Sequence, residues 1–186
     1  MIIDKIVNVH TRQDWRNWLS ENHSTEEYCW LVPTGRHSES YLDSVEEALC
    51  FGWIDSTIKK LDETQTAHRY SPRKKKSNWT ELNKERVRRL DKLGLMTEAG
   101  YKVLPDMNTA SFIIHEDILT QLRQDEVLYR HFQSLPELYV RVKIDNIQSV
   151  RHDATLYQNR LTKFIEQTRL NNLYGLWHDN GRLIAY

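Results

Sequence analysis

Cysteine is scarce in this chain of 186 residues, with only Cys29 and Cys50 present. Two thiols cannot build a disulfide framework, and neither has a second ligand at CxxC spacing, so both are expected reduced and packed. Glycine is nearly as scarce. The six glycines stand in neither GxGxxG nor GxxxxGKS order, which excludes the glycine-rich loops that cradle phosphates. Long apolar runs are missing as well: no stretch reaches the length of a membrane span, and the N-terminal MIIDKIVNVH carries Asp4. A cytoplasmic, soluble protein is expected. Of eight histidines no two stand at i,i+3 or i,i+4, so no helix offers a pair of metal ligands. His115-Glu116 lacks the second histidine of a zinc protease, and Ser71 with Lys74 has SxxK spacing without companion motifs. These patterns point to no metal, no cofactor and no catalytic residue.

Net charge is also lacking, since 26 basic residues balance 26 acidic ones. The balance is global only. Residues 1–58 hold four basic against ten acidic side chains, residues 59–92 twelve against five, and residues 93–186 ten against eleven. The basic block suggests a surface for nucleic acid made by Lys74, Lys75, Lys76, Lys84, Arg88 and Arg89, since clustered cations displace counterions from phosphates. A neutral total and a solvated hairpin-to-helix junction explain the same residues without a partner.

The stretch from Cys50 to Gly94 organises the rest. Trp53 to Leu61 alternates as a half-buried strand, placing Ile54 and Ile58 on one face and Asp55, Thr57 and Lys59 on the other. After the polar break Asp62-Glu63-Thr64, a second strand runs from Thr66 to Arg73, with His68 and Tyr70 alternating with Arg69 and Ser71, so a β-hairpin is expected. Asn78, with Glu81 three residues on, is the expected cap of a helix whose apolar stripe contains Trp79, Leu82, Val87, Leu90 and Leu93. Asn83 and Arg86 fall inside that stripe, whereas Lys84, Glu85, Arg88, Arg89, Asp91 and Lys92 point to solvent. An arginine in an apolar stripe needs an anion, because an unpaired buried charge costs several kcal/mol. Asp55 is the internal candidate. The alternative is a polar pocket in which Asp55, Arg69, Arg73, Asn83 and Arg86 converge on a small anionic or zwitterionic ligand.

Elsewhere Met1 to Val9 reads as a short strand or arm, and Thr11 with Asp14 caps a helix that buries Trp15, Trp18 and Leu19. Tyr28 to Pro33 reads as a strand ended by Thr34-Gly35, and Ser44 with Glu47 opens a helix stopped at Gly52. From Thr97 the pattern turns helical: Thr97 to Leu104, Ile113 to Arg123, Glu126 to Ser134, a helix with Pro136 in its first turn, and a last helix capped by Asp153. Asp179-Asn180-Gly181 signals a turn, so Tyr174 to Tyr186 is expected as a hairpin or docked tail. The fold class is therefore α+β, a small antiparallel sheet packed by helices over 1–104 and a helical extension over 105–186.

Four blocks carry a family resemblance: Ala48 to Ser56 (ALCFGWIDS), Ser71-Pro72-Arg73, Ser77 to Lys84 (SNWTELNK) and Gly94 to Gly100 (GLMTEAG). Together with Trp15 to Leu19, Asn22-His23 and Trp30-Leu31 they resemble the YdeI/OmpD-associated, or bacteriocin-protection, family over most of the chain. That resemblance implies a fold near the YjbR/CyaY-like α+β proteins and a non-enzymatic role in bacteriocin or antimicrobial-peptide stress, through a ligand or protein partner. It implies no catalytic residues.

Overall fold

In the computed structural model, residues 2–33, 41–75 and 77–186 are described. The expectations for Met1, for the strand end at Thr34-Gly35, for His37 and for Lys76 lie outside them. The chain divides into two compact units, Met1–Asn78 with Arg86–Pro105, and Trp79–Glu85 with Asp106–Tyr186.

The first unit is built on a four-stranded sheet of order β1-β2-β4-β3. Its three antiparallel members are the expected ones: Cys29–Pro33 (β2), Trp53–Lys60 (β3) and Thr66–Pro72 (β4), with β4 paired to both others. Ile6–Val9 (β1) joins β2 in parallel, so the sheet is mixed rather than purely antiparallel. The reason lies between them. The eleven-residue helix Arg12–Asn22 (α1) carries the chain back across the sheet, as a parallel pair requires. Thr11 and Asp14 form the expected reciprocal capping box of α1, and Trp15 and Leu19 are its fully buried residues.

Register corrects the reading of β3. A bulge between Asp55 and Thr57 leaves Ser56 over, so Asp55 stands opposite Tyr70 while Thr57 stands opposite Arg69. Directly paired residues share a face. Asp55 therefore lies on the face of Tyr70 and His68, and Thr57 and Lys59 lie on the other with Arg69 and Ala67. Ile54 and Ile58, expected together, are split by the same bulge, and Ile58 is mostly exposed.

The helix after β2 is Tyr41–Cys50 (α2), which starts three residues before Ser44. Ser44 is thus no cap: its hydroxyl donates to the Tyr41 carbonyl at 2.9 Å, inside a helix buried from Ser44 to Cys50. Gly52, at φ +75°, then turns the chain out of the helix. Glu98–Tyr101 (α4) follows later, and its Thr97 hydroxyl donates to the Cys50 carbonyl at 2.6 Å.

Helix Glu81–Lys92 (α3) begins later than expected. The Thr80 hydroxyl, not Asn78, accepts from the Asn83 N–H at 3.2 Å, because Thr80 directly precedes the first helical residue. Val87 and Leu90 are buried, but Leu93 is 49% exposed. Glu85, expected at the surface, is buried because Arg141 and the Tyr186 hydroxyl both donate to it.

In the second unit, helices Glu116–Arg123 (α5), Glu126–Ser134 (α6), Glu137–Gln148 (α7) and Ala154–Arg169 (α8) enclose a core around Ile118, Leu122, Tyr139, Ile144, Leu161 and Phe164. Asp153 caps α8 as expected, while Pro136 precedes α7 rather than opening it. The C-terminal segment forms no hairpin. It docks through buried Trp177 and Leu183, with a short 3-10 turn at Asp179–Gly181.

Candidate functional site

The bulge in β3 turns Asp55 toward α2, where its Oδ2 accepts a hydrogen bond of 2.7 Å from the Tyr41 hydroxyl. Tyr41 is thereby the partner that Arg86 was expected to be. The Tyr41 ring leans on His68, centroids 5.6 Å apart at 39°, and the His68 Nε2 lies 3.2 Å from the Thr66 hydroxyl. Thr66 and His68 are i,i+2 on one strand, so both face the same side. Tyr41, Ser44, Thr66 and His68, with Pro33 and the hairpin loop residues Thr64 and Gln65, line a cleft of about 240 Å³.

Electrostatically the cleft is mixed. Burial pushes the His68 imidazole below its ordinary value, and the Asp55 charge opposes only part of that, so the ring is neutral at pH 7 and offers one donor and one acceptor. Its Nδ1 is buried and has no hydrogen-bond partner among the described residues. Arg73 is buried at the end of β4, where its guanidinium donates to the Asn78 carbonyl at 3.2 Å. Burial brings its pKa down to about 10, and Asp55 is the anion whose field resists that fall.

Ser44, Cys29 and Cys50 are occupied or suppressed as nucleophiles. The Ser44 hydroxyl donates to a carbonyl and accepts from the Tyr70 hydroxyl at 2.8 Å, so no base is left to activate it. Burial raises both Cys29 and Cys50 to about 12, which keeps them as thiols.

Of the five residues expected to converge, the structure brings Asp55 and Arg73 within electrostatic reach of each other. Arg69 is on the opposite face of the sheet, its guanidinium 4.6 Å from the Tyr28 ring centroid. Arg86 is buried and belongs to the first unit, whereas Asn83 belongs to the second. The basic block is largely spent on internal pairs. Arg89 donates to fully buried Glu46 at 2.9 Å and Lys84 pairs with Glu81 at 2.9 Å, while Arg88 is half-buried. Lys74 and Lys75 remain exposed, and Lys76 lies outside the described residues.

Tyr41, Ser44, Thr66 and His68 escaped the sequence reading. The alternation of His68 with Tyr70 was a usable signal for His68, whereas nothing local marks Tyr41 as the partner of Asp55. Sequence reasoning also missed an ion network in which Arg12 reaches Asp43, Glu46 and Glu47 and Arg16 reaches Glu47. Burial works against the Arg12 charge, but its carboxylates outweigh that and hold it above its ordinary value.

Residues 7–103 match a family described as a domain of unknown function, DUF8412. No curated protein and no solved structure matches the chain.

Proposed function

The chain belongs to the DUF8412 family, and from that premise we propose that it works by binding rather than by catalysis, taking a small zwitterionic ligand into the Tyr41–His68 cleft. The observation that carries this reading is the mixed polarity of the cleft: an Asp55-anchored tyrosine hydroxyl, a neutral imidazole and the Thr66 hydroxyl around one small cavity. Asp55 favours the ammonium end of such a ligand. His68, able to take up a proton beside a carboxylate, favours the other. The quenched Ser44, Cys29 and Cys50 support binding over covalent chemistry.

The cellular role we propose is that implied by the YdeI/OmpD-associated resemblance, protection against bacteriocin or antimicrobial-peptide stress in the cytoplasm, for which two free buried thiols are suited. Nucleic-acid binding through 69–92 is the weaker reading, because Arg73, Lys84 and Arg89 have internal partners.

Thermal melting of the purified protein against amino acids, short peptides and inorganic phosphate tests the proposal. A zwitterion should raise the wild-type melting temperature, by mass action on the folded state, and leave Tyr41→Phe and His68→Ala unmoved. If no zwitterion does so, or if both variants respond like wild type, the cleft is not the site. Steep loss of oligonucleotide binding with salt would favour the nucleic-acid reading instead. For the cellular role, a strain lacking the protein should survive antimicrobial peptide less well, with rescue by wild type but not by His68→Ala.

A further inference from the structure

In the second unit, Lys143 stands on α7 one turn beyond Tyr139, with its ammonium 5.6 Å from the Tyr139 ring centroid and 4.0 Å from that of Tyr174. Lys163, on α8, approaches the same Tyr174 ring to 5.2 Å. The backbone closes over the amine: a Cβ at Gly175, where φ is +72°, would lie 2.7 Å from Nζ. No carboxylate pairs with Lys143 among the described residues. The rings attract its charge only in part, and the loss of water together with the like charge of Lys163 works against it. Burial first, and Lys163 second, bring its pKa down to about 8.

The same residue lines a cavity of about 220 Å³ with Thr80, Asn146, Ser149 and Leu176. Asp145 is also on the wall; burial raises its carboxyl, which accepts the Glu81 N–H at 3.0 Å. An aromatic-flanked amine without a counter-ion, beside a second cation and an accessible cavity, is the setting in which lysine becomes a nucleophile.

We propose that Lys143 is a reactive-amine site that captures a small carbonyl compound, a 2-oxo acid, as a Schiff base. The neutral Nζ lone pair attacks the carbonyl carbon, the C–N bond forms, and the carbonyl oxygen takes the proton that the nitrogen gives up. Loss of water from this carbinolamine leaves the imine, so amine and carbonyl yield imine and water with no change of oxidation state. Lys163 provides the cation for the carboxylate of the 2-oxo acid, and Thr80, Asn146 and Ser149 bring polar groups to the cavity wall.

The test treats the full-length protein with glyoxylate and sodium cyanoborohydride, which reduces an imine to a stable secondary amine, and maps labelled lysines by peptide mass spectrometry. At pH 7 Lys143 should be labelled at least tenfold faster than exposed Lys60, since at a pKa of about 8 roughly a tenth of its amine is already neutral. Its rate should level off above pH 8, while that of a free lysine side chain in a blocked peptide keeps rising toward pH 10.5. Lys163→Gln, with its fold checked by melting, should move the plateau to higher pH and slow glyoxylate more than propanal. Equal rates at Lys143 and Lys60 overturn the site. Capture of propanal in preference to glyoxylate by the wild type overturns the 2-oxo acid assignment.

Discussion

Glu46 has no exposed surface, and the guanidinium groups of Arg12 and Arg89 donate to its two oxygens at 2.9 Å each. Removing this carboxylate takes a partner from two half-buried cations, Arg89 above all, so Glu46→Ala should cost about 3 kcal/mol in a denaturant titration. Adding Arg89→Ala to that variant should recover part of the loss, because the second change removes one of the stranded charges. The surface pair Lys5–Glu26, equally short at 2.9 Å, provides the contrast. Its side chains are 46% and 33% exposed, so water already solvates them, and Lys5→Ala should leave the denaturation midpoint nearly unmoved. Equal costs for the two changes would mean that burial is not what gives the Glu46 network its weight.

Among the elements, α4 is short and depends on its contact with the end of α2. Gly100 allows that contact: a Cβ there would lie 2.3 Å from the Cys50 carbonyl oxygen, a backbone atom that cannot swing aside. Gly100→Ala should therefore destabilise by about 1–3 kcal/mol, the range of an overpacked core, although alanine is the better helix former. A melting curve unchanged by the substitution would show that α4 moves off α2 freely. The start of α3 offers a milder case. Thr80→Ala deletes the hydroxyl that accepts the Asn83 N–H and should cost about 1 kcal/mol, whereas Asn78→Ala, which removes no cap, should cost less. The ordering of these two variants in urea checks the corrected helix boundary.

For the whole molecule, pH reads out groups in both units. Burial raises the thiols of Cys29 and Cys50, in the first unit, and the phenol of Tyr139, in the second, to about 12. Each is an acid whose folded pKa lies above its unfolded one, so the unfolded chain loses protons first as pH climbs. Their stabilising contribution is thus complete below about pH 9 and is lost between there and pH 12. Lys143 acts in the opposite sense. Its folded pKa is about 8 and that of Arg73 about 10, so the folded state sheds these protons early and the two groups add stability upward from pH 8 and from pH 10. The three acids outweigh these two cations, and stability should fall on the alkaline side. The double change Cys29→Ala with Cys50→Ala, though less stable at neutral pH, should show a shallower decline between pH 9 and 11 in chemical denaturation. An equally steep decline would assign the alkaline loss to tyrosines alone.

What the sequence determined by itself was local. The strand character of Trp53 to Lys60 and Thr66 to Pro72, the stripe of α3, the caps at Thr11 and Asp153, and the turn at Gly52 all rest on energies exchanged within four residues of chain, and they sufficed for an α+β fold with a helical second half. They also marked Asp55 as a candidate site residue, though not the face it lies on. Tertiary structure decided the rest. A single unpaired residue, Ser56, moved Asp55 to the other face of the sheet, since the side-chain period of a strand is two and one extra residue inverts everything before it. That inversion gave Asp55 to Tyr41 and parted it from Arg69. Likewise Glu85 and Arg89 read as solvated charges until partners distant in sequence drew them inward, because the Coulomb and desolvation terms of an ion depend on what surrounds it in space and not on its neighbours in the chain.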